Sequence, residues 1–277
     1  MKTQKPKNNT KTDWGGVANW YDDLIKDNDS YQTKIILPNL IRILGGEKEI
    51  QAKSILDLAC GSGFFSNILS EIGANVVGVD LGNDLIKTAK DNSQRLNLKN
   101  IKYFVGNAEN FTNISDIKSL IKEEKNRFDS VICILAIQNI NKVDLVLKEI
   151  KKVLKQNGKA IFIINHPSFR IPKFSDWYFD EKKNIQNRTV AKYMSEIKSE
   201  IDMNPGEKNL KKKKYTISFH RPLQYYTKLF ANNGFVISKI EEWISHKESE
   251  QTAKRKKEED IARHEIPMFM CIEILNK

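Results

Sequence analysis

Short apolar runs alternate with amphipathic stretches through the middle of this 277-residue chain, and this alternation limits the folds that it can adopt. The apolar runs cover residues 54–58, 75–79, 101–105, 130–135 and 159–164. Between them, apolar residues recur at the three- and four-residue spacing of helices that bury one face. Strands of this length alternating with helices predict a mostly parallel sheet covered by helices on both faces.

The segments on either side of this alternation divide the chain into four predicted regions. They are a polar tail and helical lid (1–45), the core (46–165), an inserted cap (166–221) and a completion of the core sheet (222–277). The cap shows no clear strand before "KYTISFH". Two late apolar runs, "FVISKIEEW" and "IPMFMCIEIL", are predicted to close an open seven-stranded sheet as a hairpin-like pair. The charged stretch between them, residues 245–265, predicts a solvated helix.

The charge and the termini set expectations about partners and location. The net charge is +11, which fits either a nucleic-acid partner or a lysine-rich composition spread over solvated faces. No stretch reaches the roughly 18 apolar residues of a membrane span. The polar N-terminus also lacks the apolar region of a secretory signal. We therefore expect a cytoplasmic protein without a membrane span.

The three cysteines, Cys60, Cys133 and Cys271, lie far apart in apolar segments. Their odd number and their spacing indicate reduced, buried thiols rather than a disulfide framework. No His, Cys or acidic cluster has the spacing of metal ligands, so no metal is expected.

The stretch "ILDLACGSGFFS" places an acid inside an apolar strand, followed by a glycine-rich turn. Gly61 and Gly63 allow the backbone to turn tightly and to approach a ligand closely. The dinucleotide pattern G-x-G-x-x-G is incomplete, because Ser66 stands where its third glycine would be. A carboxylate at Asp57 would repel a pyrophosphate but attract a cation, such as the ammonium group of an amino acid.

This stretch resembles the first motif of class I S-adenosylmethionine-dependent methyltransferases, in the broad group that includes quinone-biosynthesis enzymes. The resemblance implies a Rossmann-like seven-stranded fold and S-adenosylmethionine as the methyl donor. It also implies that Gly61 and Gly63 line the methionine part of the donor and that Asp57 helps to organise its ammonium group. Ala59, between Asp57 and Gly61, is a further predicted cofactor-binding residue.

Two later stretches resemble further motifs of the same family. "NVVGVDLG" implies that Asp80 accepts hydrogen bonds from the ribose hydroxyls of the donor, with Leu81 beside it. "GNAENF" resembles the segment that contacts adenine, formed here by Asn107, Ala108 and Glu109. Many members have aspartate where this chain has Asn107, so the contact to the adenine amino group stays open between Asn107 and Glu109.

The resemblance extends to the strands that follow. "FDSVICILAIQNI" resembles the fourth-strand motif, which implies that Leu135 lies near the methyl donor. "LKQNGKAIFIINHP" resembles the turn and fifth strand. More loosely, "HRPLQYYTKLFANNGF" resembles the helix that enters the sixth strand.

Candidates for contact with the methyl acceptor lie near the expected mouth of the pocket. They are His166, His220 and Tyr21, which we predict as catalytic residues, with a structural hydrogen bond as the alternative for each histidine. Gln138 and Asn139 follow the fourth strand. Five aromatic residues of the cap could wall a flat acceptor or merely pack the cap onto the sheet: Phe169, Phe174, Trp177, Tyr178 and Phe179.

Three functions remain open at this point. The first is methyl transfer to a small-molecule acceptor, and the second is methylation of RNA through the basic surface. Against RNA, no added RNA-binding module is visible, and "LAIQ" replaces the "NPPY"-like tetrapeptide of enzymes that methylate base amino groups. The third is a non-catalytic protein that binds S-adenosylmethionine. The acceptor atom and the oligomeric state do not follow from these patterns.

Overall fold

The computed structural model describes residues 29–202 and 215–277. Its strands are β1 (Ser54–Leu58), β2 (Asn75–Asp80), β3 (Ile101–Val105), β4 (Phe128–Ile134), β5 (Leu154–Asn165), β6 (Ser175–Asp180), β7 (Ile185–Val190), β8 (Ile197–Asp202), β9 (Tyr215–His220), β10 (Phe235–Trp243) and β11 (Phe269–Asn276). Its α-helices are α1 (Leu37–Leu44), α2 (Glu47–Ile50), α3 (Phe64–Ile72), α4 (Asn83–Arg95), α5 (Ser115–Leu120), α6 (Val143–Val153), α7 (Leu223–Asn232) and α8 (Lys256–Glu265).

Seven strands form the central sheet in the order β10-β11-β5-β4-β1-β2-β3. The pairs of β1 with β2 and β4, of β2 with β3, and of β4 with β5 are parallel. Strand β11 runs antiparallel to both β5 and β10. The prediction of a mostly parallel seven-stranded sheet closed by a hairpin-like pair is therefore confirmed. The strand order changes direction between β1 and β4, which is where open α/β sheets bind ligands.

The sheet is buried on both faces, as the continuous apolar runs predicted. In β1, Leu56 and Leu58 pack into one core cluster, and Ile55 packs into the cluster on the opposite face. Helix α1 lies on the face of Ile55, begins after a π-helical turn (Gln32–Ile36), and ends at Gly45. The side chain of Asp57 points to the same face of the sheet as that of Ile55, because side chains two residues apart along a strand lie on one face.

The structure departs from prediction at the turn before the fifth strand. "KQNG", within the stretch that resembles the turn and fifth strand, was expected to form a turn before that strand, and α6 does end at Val153. However, β5 already begins at Leu154, which pairs with Phe128. The register then skips to Lys159 opposite Ser130, so the predicted turn is a bulge within the β4–β5 pairing.

The cap segment, residues 166–221, corrects a prediction. Instead of lacking strands before "KYTISFH", it contains two antiparallel hairpins, one of β6 with β7 and one of β8 with β9. These strands escaped prediction because few of their residues are buried, so the sequence lacks the apolar alternation of a half-buried strand. The predicted helix over 245–265 is also too long, since α8 begins only at Lys256.

None of the helices within the described residues is long and apolar enough to cross a bilayer. The three cysteines are buried and form no disulfide, as predicted.

Candidate functional site

The predicted donor-binding residues of β1, β2 and β4 meet at the carboxyl edge of the sheet. Asp57 lies opposite Gly78 of β2 and Ile132 of β4. Beyond the strand end, the backbone N–H of Ala59 donates to the carbonyl of Val79 at 2.7 Å. The loop after β1 is thus held against β2 at the point where the strand order changes.

The carboxylate of Asp80 organises the glycine-rich loop. Its Oδ2 accepts a hydrogen bond from the backbone N–H of Gly61 at 2.9 Å, and its Oδ1 accepts one from Gly82 at 2.8 Å. Burial raises the pKa of Asp80, although these backbone bonds oppose the rise. Each oxygen retains a second lone pair, so the carboxylate can still accept two vicinal hydroxyls.

Asp57 is a buried acid, only 2% exposed. Its Oδ2 accepts a hydrogen bond from the Ser66 hydroxyl at 2.5 Å. Burial raises the pKa of Asp57 to about 7; the Ser66 bond opposes the rise, and the negative charge of Asp80 adds to it. A cation beside Asp57 would favour its ionised form and reverse this shift.

Two non-glycine residues at this edge have left-handed backbones. Ala59 follows β1 with φ of 61°, and Leu135 follows β4 with φ of 52°. Such conformations cost of order 1–3 kcal/mol each and persist where the surrounding structure imposes them, often at functional sites. Leu135 is held by its N–H, which donates to the carbonyl of Ile163 at 2.7 Å.

Gly63 is required by packing, which the sequence did not reveal. Its φ is 84°, and a Cβ there would lie 2.3 Å from the hydroxyl oxygen of Tyr103. That hydroxyl donates to Asn67 Oδ1 at 2.7 Å. A side chain is therefore excluded at Gly63 whether or not a ligand is bound.

Among the residues that the structure describes, two buried polar atoms near this edge have no hydrogen-bond partner: the hydroxyl of Ser62 and Oε1 of Gln138. Ser62 lies between the two glycines, and Gln138 lies in the 3₁₀ turn after β4 (Ile137–Asn139). Gln138 donates through Nε2 to the carbonyl of Leu135 at 2.9 Å. Because buried polar groups are normally paired, these two atoms point to a ligand at the edge. Ser62 was not predicted, and its position between the glycines was the available signal.

The predicted adenine-contacting segment follows β3. Asn107 is exposed, and its Oδ1 accepts a hydrogen bond from the N–H of Glu109 at 2.9 Å. Glu109 in turn accepts one from the N–H of Lys142 at 3.2 Å, while Ala108 is half-buried. Leu81, 52% exposed at the end of β2, offers an apolar surface to a flat ring. The side-chain oxygen of Asn107 thus closes a turn, while its amide hydrogens form no hydrogen bond within residues 29–202 and 215–277.

The two predicted histidines differ in the state of their ring nitrogens. His166 is buried, with Nδ1 accepting from the N–H of Ser168 at 3.2 Å and Nε2 bonded to Glu242 at 2.6 Å. Nε2 therefore carries the proton and both nitrogens are occupied. Burial lowers the pKa of His166, opposed by Glu242. This geometry supports the structural alternative for His166.

His220 ends β9, which packs against the 3₁₀ turn after β4. Its Nε2 donates to the carbonyl of Tyr193 at 2.8 Å, so Nδ1 is the unprotonated nitrogen. Burial lowers the pKa of His220. Within the described parts of the chain, no partner contacts Nδ1, so this atom can accept a proton. Tyr21 lies outside the described residues.

Arg221 joins the cap to the turn after β4, a role that the sequence did not indicate. Its side chain is 3% exposed, and Nη2 donates to the carbonyls of Ile140 and Asn141, both at 2.9 Å. The guanidinium stacks on the rings of Phe219 and Tyr225.

The site thus combines two buried acids on the sheet with a basic, aromatic cap. Across residues 29–202 and 215–277, no group of His, Cys, Asp and Glu could hold a metal ion.

Comparison with known proteins supports a common family. A family model described as a methyltransferase domain matches residues 50–220. The ubiquinone biosynthesis O-methyltransferase of Pelagibacter ubique is 30% identical over 128 residues, which cover 45% of this chain and 48% of that protein. The demethylmenaquinone methyltransferase of Lactococcus lactis is 31% identical over 153 residues, 53% of this chain and 57% of that protein. The chain thus spans about half the length of the curated relatives that it matches.

Solved structures support the same fold. An S-adenosylmethionine-dependent methyltransferase from Mesorhizobium loti superposes with a TM-score of 0.62 at 20% identity, covering 86% of this chain and 96% of that one. Another from Clostridium acetobutylicum gives a TM-score of 0.60 at 18% identity, covering 95% and 98%. At these identities the likeness establishes the fold.

Proposed function

The chain belongs to the methyltransferase-domain family that matches its residues 50–220, and we propose that it transfers the methyl group of S-adenosylmethionine to a small-molecule acceptor. The Rossmann-like fold and the family predicted from the sequence are those found. The acceptor and the residue roles below are our proposal.

One observation carries this proposal: Asp57 and Asp80 flank the glycine-rich loop at the edge where the strand order changes. The two acids suit a donor with an ammonium group at one end and a ribose at the other. Asp80 has free lone pairs for the ribose hydroxyls, while Asp57 gains a cation that compensates its burial. The hydroxyl of Ser62, which has no partner among the described residues, supplies a further contact from the loop.

The donor supplies an electrophilic sulfonium methyl group. The protein therefore needs chiefly to align the acceptor with that group and to exclude water. His220 is our candidate for a general base, because its Nδ1 is unprotonated and lies on the cap strand that packs against the turn after β4. His166 keeps a positioning role through its two hydrogen bonds.

A small-molecule acceptor is favoured by the relatives and by the cap. The relatives named above carry names of quinone-biosynthesis methyltransferases. The cap offers aromatic side chains, including Phe169 and Trp177, that could wall a flat molecule.

The test is an activity screen with isotope-labelled S-adenosylmethionine, offered separately to a small-metabolite extract and to total RNA. Label in the metabolite fraction is expected, and its product can be identified by mass. Label in RNA would instead refute the small-molecule acceptor.

His220→Ala should reduce turnover about 100-fold or more while leaving donor affinity unchanged, and His166→Ala should chiefly lower stability.

A further inference from the structure

Two arginines of the cap lie against the same tryptophan ring. The guanidinium carbon of Arg170 is 5.5 Å from the ring centroid of Trp177, and that of Arg188 is 5.1 Å from it. Arg188 lies directly opposite Trp177 in the β6–β7 register, whereas Arg170 comes from the connection between β5 and β6. We call Arg170 and Arg188 the arginine pair.

The arginine pair has no acidic partner among the residues that the structure describes. Arg188 donates to the carbonyls of Phe169 and Ser175 and to the Ser175 hydroxyl, which fixes its guanidinium in place. The guanidinium of Arg170 forms neither a hydrogen bond nor an ion pair there, and its Nε is buried without a partner. One arginine is thus held rigidly, and the other presents unused donors.

The electrostatics of the arginine pair are unfavourable without a counter-charge. Burial lowers the pKa of Arg170, and the positive charge of Arg188 lowers it further. Burial also lowers the pKa of Arg188, and Asp176 opposes this only through its charge at a distance. Two partly buried cations against the same ring cost free energy that a bound anion would recover.

The arginine pair lies beyond the carboxyl end of β5, at the same edge of the sheet as the donor site. The backbone N–H of Arg170 donates to the carbonyl of His166, the first residue after β5, at 2.8 Å. Strand β5 neighbours β4, whose end carries Leu135. The ring of Phe169 lies 4.8 Å from that of His166 and adds an aromatic surface. A small molecule at this edge would meet the arginine pair and aromatic rings together.

We propose that Arg170, Arg188 and Trp177 bind an anionic group, a carboxylate or a phosphate, on the methyl acceptor. This rests on the proposed function, and it narrows the acceptor to an anionic molecule. The planar guanidinium fork matches both oxyanions in a two-bond geometry. Arg188 is oriented before binding, so little conformational freedom is lost when the anion arrives.

The first experiment follows the indole N–H signal of Trp177 in the full chain by nitrogen-15 NMR. Trp177→Phe assigns the signal. The probes are benzoate, phenyl phosphate and the neutral benzamide, each titrated at fixed ionic strength. We expect benzoate or phenyl phosphate to shift the signal saturably and benzamide to leave it in place. The anion that binds with the higher affinity shows whether the site prefers a carboxylate or a phosphate. An equal shift with benzamide, or no shift with either anion, would overturn the proposal.

The second experiment compares matched variants. Arg170→Gln should weaken binding of the anionic probe at least tenfold. Arg255→Gln is the control, because Arg255 also stacks on a cap ring, Phe179, but is paired with Glu181. It should leave probe binding unchanged, and equal losses in the two variants would contradict a specific site.

Calorimetry with S-adenosylmethionine on the same samples separates the two proposals. Donor binding without probe binding would overturn the anion site alone. Probe binding without donor binding would overturn the proposed function and leave an anion site that is no longer assigned to a methyl acceptor.

Discussion

The carboxyl edge of the sheet and the cap each hold two like charges, of opposite sign. At the edge, Asp57 and Asp80 are buried acids without a basic partner among the described residues. In the cap, Arg170 and Arg188 are cations without an acidic partner there. Both arrangements cost stability. The comparison fits the two proposals, which place a cationic group of the donor beside Asp57 and an anionic group of the acceptor beside the arginine pair.

The largest effect that we expect is the loss of affinity for S-adenosylmethionine when Asp80 is substituted. Asp80→Ala should weaken S-adenosylmethionine binding by about 100-fold or more, because two charge-assisted hydrogen bonds of about 1.5–3 kcal/mol each are lost. Calorimetry would measure this. The control is Asp84→Asn, an exposed acid in the same segment, which should bind the donor as the wild type does. Equal affinities for Asp80→Ala and wild type would remove Asp80 from the donor site.

The next prediction concerns the effect of Asp57 on the free energy of unfolding and its dependence on pH. Its folded-state pKa of about 7 lies above the ordinary aspartate pKa of 3.8, so the folded state binds more protons than the unfolded state between these pH values. Stability should therefore fall as pH rises from about 4 to 7. Asp57→Asn removes the buried charge and should raise the free energy of unfolding at pH 8 by about 2–4 kcal/mol. Urea unfolding at pH 4.5 and pH 8 would measure this, and a variant that is less stable at pH 8 would contradict a raised pKa.

The raised pKa of Asp57 also predicts how the affinity for S-adenosylmethionine depends on pH. Because a bound ammonium group favours the ionised form of Asp57, protonation competes with donor binding below pH 7. Affinity should fall about tenfold between pH 8 and pH 6 in the wild type. Asp57→Asn should show weaker binding and a flatter profile, whereas the same slope in both proteins would assign the dependence to another group.

The smallest effect that we expect is the change in stability when an arginine that contacts a cap ring is substituted. Arg170→Gln loses its contact with Trp177, worth about 0.5–1 kcal/mol, but relieves the repulsion from Arg188. Its stability should stay within about 0.5 kcal/mol of wild type. Arg255→Gln loses both a ring contact and an ion pair and should cost about 1 kcal/mol. Thermal unfolding would rank them, and a larger loss for Arg170→Gln would make Arg170 a structural residue.

Much of the sheet and its edge followed from the sequence. The bounds of β1 and β3 match prediction, because a short buried strand is visible in the sequence as a continuous apolar run. Asp57 and Asp80 could be placed together because the ends of parallel strands meet at one edge.

The rest depends on contacts between distant segments. The cap hairpins have little apolar alternation to reveal them. The need for glycine at Gly63 comes from Tyr103, forty residues later. The carbonyl of Tyr193 determines which ring nitrogen of His220 is unprotonated. The arginine pair forms only when Arg188 folds opposite Trp177.

Proton release on donor binding tests the central claim most directly. S-adenosylmethionine would be titrated at pH 7 in buffers of different ionisation enthalpy, with wild type and Asp57→Asn. A pKa of about 7 leaves Asp57 about half protonated in the free protein, so the wild type should release about half a proton more per donor than the variant. Absence of donor binding, or the same proton release in both proteins, would contradict a donor site built on Asp57.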